Sequence, residues 1–125
     1  MHFIIGGAYQ GKLDYAKKRY GLRDADVFTC TESDGIAFGA PCVDKLEEFA
    51  LRCVRNGQDA VEIMRENRAE WENAVLICCD LFCGVVPLGA DMRAWREMTG
   101  RLCAYLAAEA ETVTRMFCGL EQRLK

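Results

Sequence analysis

Gly6-Gly7-Ala8-Tyr9-Gln10-Gly11-Lys12 follows a short apolar run, Phe3-Ile4-Ile5, and precedes a helix-forming stretch that stops at Gly21. The segment fits the phosphate-binding pattern G-x-x-x-x-G-K, and a strand before it with a helix after it is the setting in which that pattern works. Glycine at both ends lets the backbone curl so that successive N–H groups point inward. The positive end of the following helix adds to the anion site, and Lys12 reaches the outer phosphates. The next position, ordinarily Ser or Thr, is Leu13. Leucine has no hydroxyl for magnesium, so either Mg²⁺ is held by phosphates, water and a carboxylate, or hydrolytic and transfer chemistry is weak. The same residues would also serve as a plain glycine turn carrying an exposed lysine.

Asp80 is the best carboxylate partner. It ends Ala74-Val75-Leu76-Ile77-Cys78-Cys79, a continuous apolar run of the kind found in a strand buried on both faces of a parallel sheet. A polar residue at the C-terminal end of such a strand opens onto the crevice where ligands of these sheets bind. There it would hold magnesium or a magnesium-bound water, or act as a base; the alternative is capping of the next turn. Asp44 reads as a helix N-cap. Arg93, Arg96 and Arg101 recur at near-helical spacing and read as a solvated face pairing with Asp91 and Glu97, or else as guanidinium groups aimed at phosphate. The eight cysteines read as reduced, buried small hydrophobes. Cys78, Cys79 and Cys83 lack a second closely spaced pair and the only histidine is His2, so a structural zinc site has no ligand set.

These residues need elements to hold them. After the helix over residues 12–20, a strand is expected over 25–30. A helix follows from Val43, with Leu46, Phe49, Ala50, Cys53 and Val54 in register and Asn56-Gly57 as its stop. A further helix is expected over 58–71, the central strand over 74–79 and a loop over 84–87. A long helix over 90–110 turns Met92, Trp95, Met98, Leu102, Tyr105 and Leu106 inward, and a last strand covers 112–118 before Gly119. Alternating strands and helices predict an α/β fold of three layers with a mainly parallel central sheet.

Composition narrows the function classes. A chain of 125 residues with 51% hydrophobic and 28% charged residues reads as one globular domain over 1–125, which excludes a disordered tail or a multidomain enzyme. A formal charge of −3 supplies no basic field for nucleic acid. The N-terminal segment has no basic n-region, and no run approaches the ~20 apolar residues of a membrane span. The expectation is a cytoplasmic protein with no membrane partner.

Taken together, the motifs resemble the adenosylcobinamide kinase / adenosylcobinamide-phosphate guanylyltransferase family of cobalamin biosynthesis, whose fold is of the P-loop NTPase type. Ile5-Gly6-Gly7-Ala8 through Gly11-Lys12 is similar to the family's phosphate loop. Asp80-Leu81-Phe82-Cys83-Gly84-Val85-Val86-Pro87, Arg93, Trp95-Arg96-Glu97 and Gly100-Arg101 resemble its run of an acidic residue, Gly-Ile-Val-Pro, Arg, Phe-Arg-Asp and Gly-Arg. Cys118-Gly119-Leu120 and Leu124-Lys125 are similar to its C-terminal end. The resemblance implies a nucleotide-binding protein that takes ATP or GTP with Mg²⁺. Gly6, Gly7, Ala8, Tyr9, Gln10, Gly11, Lys12 and Leu13 would cradle the triphosphate, with Lys12 and Asp80 catalytic and Asp80 the metal ligand. It further implies a cobinamide corrinoid as phosphoryl acceptor and a homo-oligomer. The family's nucleotidylated histidine has no counterpart, because His2 is at the wrong end of the chain. The resemblance therefore carries the nucleotide cradle and leaves out the guanylyltransferase apparatus. The alternative reading is a catalytically degenerate nucleotide-binding or regulatory protein.

Overall fold

The computed structural model describes residues 1–81 and 89–125. The expected loop over 84–87, with Phe82 and Cys83, lies outside the described residues. The elements run β1 (His2–Gly6), α1 (Lys12–Tyr20), β2 (Val27–Thr29), β3 (Cys42–Asp44), α2 (Leu46–Arg55), α3 (Ala60–Glu66), α4 (Arg68–Trp71), β4 (Val75–Cys79), α5 (Ala90–Glu109), β5 (Thr112–Phe117) and β6 (Leu120–Arg123). They form one six-stranded sheet of order β2-β3-β4-β1-β5-β6. Every pairing is parallel except β5–β6.

Strand alternation explains the layers. Ile4, Val75, Ile77 and Met116 point to the face covered by α1, where Ala16 is buried with them. Phe3, Leu76, Cys78 and Val113 point to the opposite face and meet Leu46, Phe49 and Cys53 of α2, Met64 of α3, and Leu102 and Leu106 of α5. Central strands with both faces covered need apolar residues at every position, which is why residues 74–79 lack alternation. The expected α/β fold with a mostly parallel sheet is present. Among the described residues no helix is long and apolar enough to cross a membrane.

Several element boundaries differ from expectation. Asp24–Asp26 is a 3₁₀ turn in which Arg23 and Asp26 bond reciprocally, so β2 starts only at Val27. Val43 belongs to a strand, because β3 is wedged between β2 and β4 and Cys42, Val43 and Asp44 are all buried. Helix α2 begins after Lys45, whose left-handed backbone (φ 59°) turns the chain. The helix expected over 58–71 breaks at Asn67, whose side-chain amide donates to the Ile63 carbonyl at 2.8 Å. The buried Trp71 ring N–H bonds the Met64 carbonyl near that break at 2.7 Å. Finally, β5 stops at Phe117. Cys118 (φ 51°) and Gly119 (φ 75°) form a two-residue connection with positive φ at both positions, the geometry tight hairpins favour, and β6 returns along β5.

Candidate functional site

Because β1, β3 and β4 are parallel neighbours, the residues following each strand emerge along one edge of the sheet. The glycine segment starts at the end of β1, Asp44 ends β3, and Cys79 ends β4 with Asp80 next after it. Gly6 is required by close approach: a Cβ there would lie 2.6 Å from the Met116 carbonyl oxygen of β5. Gly11 is required by conformation, since it enters α1 with φ 86° and ψ 21° and no side chain caps the helix. The first turn of α1 thus has no side-chain cap, which leaves its leading N–H groups without that acceptor.

Within the loop, the Lys12 ammonium donates to the Gly7 carbonyl at 2.6 Å. Tyr9 adopts a left-handed backbone with φ 59° and is fully exposed at the tip. The Gln10 carboxamide oxygen accepts the Cys118 N–H, which ties the loop to the β5–β6 hairpin. Leu13 turns toward the apolar layer beneath α1, and it also borders the cleft.

That cleft, of about 510 Å³, runs between residues 8–14 on one side and Asp44, Lys45, Glu47, Glu48 and Cys79 on the other. Asp44 is 7% exposed, and its Oδ1 accepts the Lys45 N–H at 2.8 Å. It does not cap α2 as the sequence suggested; Lys45 occupies the cap position. Glu47 Oε2 accepts the Cys79 N–H at 2.9 Å, while the Glu47 carbonyl accepts from the Trp95 ring N–H at 2.7 Å. The start of α2 is thereby fastened to the end of β4 and to α5. Burial pushes both the Asp44 and the Glu47 carboxyls above their ordinary range, and Lys12 pulls each partly back. Burial likewise raises the Cys79 thiol, and neighbouring Glu47 reinforces it.

Asp80 sits beside the start of the loop. Its N–H donates to the Gly6 carbonyl at 3.1 Å, and its Oδ1 lies 3.7 Å from where a Cβ on Gly7 would stand. The structure therefore brings Lys12, Leu13 and residues 8–11 together with Asp44 and Glu47, and sets Asp80 at the loop's entrance. The Arg101 guanidinium bonds Asp59 at 2.8 Å, in place of the expected pairing with Asp91 and Glu97. Glu47 was missed because an acidic residue in the first turn of a helix is ordinary chemistry, and only the β3–β4 pairing reveals where it points.

Among the described residues no three His, Cys, Asp or Glu side chains gather to hold a metal ion. With Leu13 in place of a hydroxyl, the donor set fits a magnesium that arrives on phosphates and meets the protein at a single carboxylate, Asp80 or Asp44. Among the described residues no set of protein groups would hold the ion alone. The described cysteines are free thiols, and burial raises Cys30 and Cys42 to about 12, which silences them as nucleophiles. Comparison of the whole chain with protein-family models and with curated proteins finds no match.

Proposed function

We propose that the chain binds a nucleoside triphosphate, ATP or GTP, in a phosphate loop of the P-loop NTPase type formed by residues 6–13, and that it transfers a phosphoryl group in the manner of an adenosylcobinamide kinase. The observation that carries this reading is the closure of Lys12 onto the Gly7 carbonyl at 2.6 Å at the mouth of a helix without a side-chain cap. The loop is curled around its own cation, and a phosphate oxygen would replace that carbonyl as the acceptor.

In the transfer, the aminopropanol hydroxyl oxygen of the corrinoid attacks the γ-phosphorus, the bond to the bridging oxygen breaks, and the nucleoside diphosphate leaves with that electron pair. The hydroxyl proton passes to Asp80. Lys12 offsets charge on the phosphoryl oxygens, and the loop N–H groups hold the phosphates in line. Magnesium bound to the phosphates would supply further charge neutralisation beside Asp80.

One observation favours a second reading, nucleotide binding without turnover. Leu13, partly buried under α1 and bordering the cleft, has no hydroxyl, so the protein offers one ligand fewer to the metal than a loop ending in Ser or Thr. Calorimetric titration with ATP and with GTP, each with and without Mg²⁺, tests the shared step. Binding that Lys12→Ala loses supports the loop; absence of binding refutes both readings. Phosphorylation of cobinamide by the binding-competent protein then separates kinase from binding module.

A further inference from the structure

Strand β6 is an outer edge of the sheet, and all four of its residues are exposed. An edge strand offers backbone N–H and C=O groups to another strand, and the pairing with β5 decides which groups those are. The tight connection at Cys118-Gly119 sets Phe117 opposite Leu120 and Arg115 opposite Gln122. The ladder continues past the end of β6, where the Leu124 N–H donates to the Val113 carbonyl at 2.8 Å. Antiparallel ladders alternate. Leu120, Gln122 and Leu124 therefore turn their backbone groups inward to β5, and Glu121 and Arg123 turn theirs outward.

Side chains alternate with the same period. Glu121 stands opposite Met116 and Arg123 opposite Thr114, so both charges are on the α1 side of the sheet. Leu120 and Leu124 are on the other side with Phe117, and they are 72%, 56% and 58% exposed respectively. Large apolar side chains left in water beside an open strand edge mark an interaction surface. The segment Leu120-Glu121-Gln122-Arg123-Leu124 is also self-complementary. Laid antiparallel on a copy of itself about Gln122, it sets Glu121 against Arg123 twice and Leu120 against Leu124 twice, while Gln122 alone meets its own kind. In that register the outward backbone groups of Glu121 and Arg123 form hydrogen-bonded pairs. Glu121 accepts from the Tyr15 hydroxyl and the Arg123 Nε–H donates to the Lys125 carbonyl at 2.7 Å; the carboxylate and the guanidinium each have further acceptor or donor sites for a partner.

We infer that β6 pairs antiparallel with β6 of a second copy of this chain, across a two-fold axis at Gln122, so that two six-stranded sheets join edge to edge. A two-fold contact requires one patch to complement itself, and the exchange of Glu121 for Arg123 about Gln122 meets that requirement. The inference rests on the strand edge and is independent of nucleotide binding. The paired segment is short, so the dimer is reversible.

Sedimentation equilibrium of the full chain should show a concentration-dependent dimer. Glu121→Lys and Arg123→Glu each set like charges against one another at both contacts, and each should weaken association roughly tenfold with an otherwise native amide spectrum. Mixed in equal amounts, the two variants restore opposite charges at both contacts, and association should return to the wild-type level. Directly opposed side chains are close enough for a disulfide. Gln122→Cys, carried with Cys118→Ser, should therefore give a disulfide-linked dimer under mild oxidation, and Glu121→Cys in the same background should not, because its two copies stand diagonally. Four results overturn the proposal: a monomer at every concentration up to millimolar, association undiminished in both charge variants, no recovery on mixing them, or cross-linking at residue 121 as readily as at 122. A trimer that the charge variants leave intact would assign self-association to another surface and equally refute the edge.

Discussion

The Lys12 ammonium reaches back five residues to the Gly7 carbonyl at 2.6 Å, so the cation expected to meet a phosphate is already inside the loop. Replacing it with alanine removes a hydrogen bond to a charged group, about 1.5–3 kcal/mol. Nucleotide affinity should fall at least ~tenfold on that scale, while the thermal midpoint falls by only a few degrees, because Lys12 is half-buried and water takes over much of the Gly7 bond it gives up. Calorimetry paired with a melting curve checks both halves. A large loss of stability would show that the lysine serves the fold instead.

Gly6 abuts β5 so closely that any side chain must displace backbone: the Met116 carbonyl oxygen is 2.6 Å from a modest Cβ. Gly6→Ala should destabilise the protein by about 1–3 kcal/mol, the usual range for overpacking, as read from urea unfolding midpoints. Gly7→Ala meets only ordinary contacts, 3.6 Å to Gln10 Cγ and 3.7 Å to Asp80 Oδ1, and should cost much less. Equal costs would contradict the close approach of β1 and β5 that seats the loop.

Leu13 separates the two functional readings. Leu13→Ser gives up part of an apolar contact under α1, a loss of about 1–2 kcal/mol for a partly buried leucine. It also restores a hydroxyl next to Lys12. Magnesium-dependent nucleotide binding should strengthen roughly tenfold, the scale of one added bond to a charged partner, with binding in the absence of Mg²⁺ unchanged. Calorimetry with and without the metal distinguishes this from a general change in affinity. No gain would mean that the phosphates do not sit over the start of α1.

How much of this was legible in the sequence depended on range. The strand–loop–helix unit at the N-terminus was readable because its signals are local: an apolar run, two glycines, then helix formers. Residues 74–79 were readable because burial on both faces leaves an unbroken apolar run. Strand β3 was not, since Val43 and Leu46 fall at helical spacing and a three-residue strand is too short to show alternation. Nothing in a lysine announces the left-handed turn at Lys45 that separates β3 from α2. The acidic side of the cleft was hidden for the same reason: Asp44 and Glu47 face the loop only because β3 pairs with β4, and that pairing is a long-range event. Similarly, the Cys118-Gly119 hairpin lacked the usual Asn or Asp before its glycine.

Asp44 should make stability depend on pH in the direction opposite to the surface carboxylates. Burial raises its folded pKa above the ordinary 3.8, so the folded state binds its proton more tightly than the unfolded chain does. Stability from this group is then unaffected below the ordinary carboxylate range, falls as pH rises through the interval up to the raised folded value, and is constant above it. Asp24, Asp26 and Asp59 are shifted downward by hydrogen bonds to Lys17, Arg23 and Arg101 respectively, and contribute stability that is lost on acidification. Asp44→Asn keeps an oxygen for the Lys45 N–H and removes the charge. The difference in unfolding free energy between variant and wild type should therefore grow in favour of the variant as pH rises from about 4, then level off, in urea titrations at a series of pH values. If nucleotide with Mg²⁺ uses the ionised Asp44, the same variant should bind it more weakly at neutral pH. A flat difference curve would mean that the carboxylate is solvated and that the cleft is more open than its 7% exposure indicates.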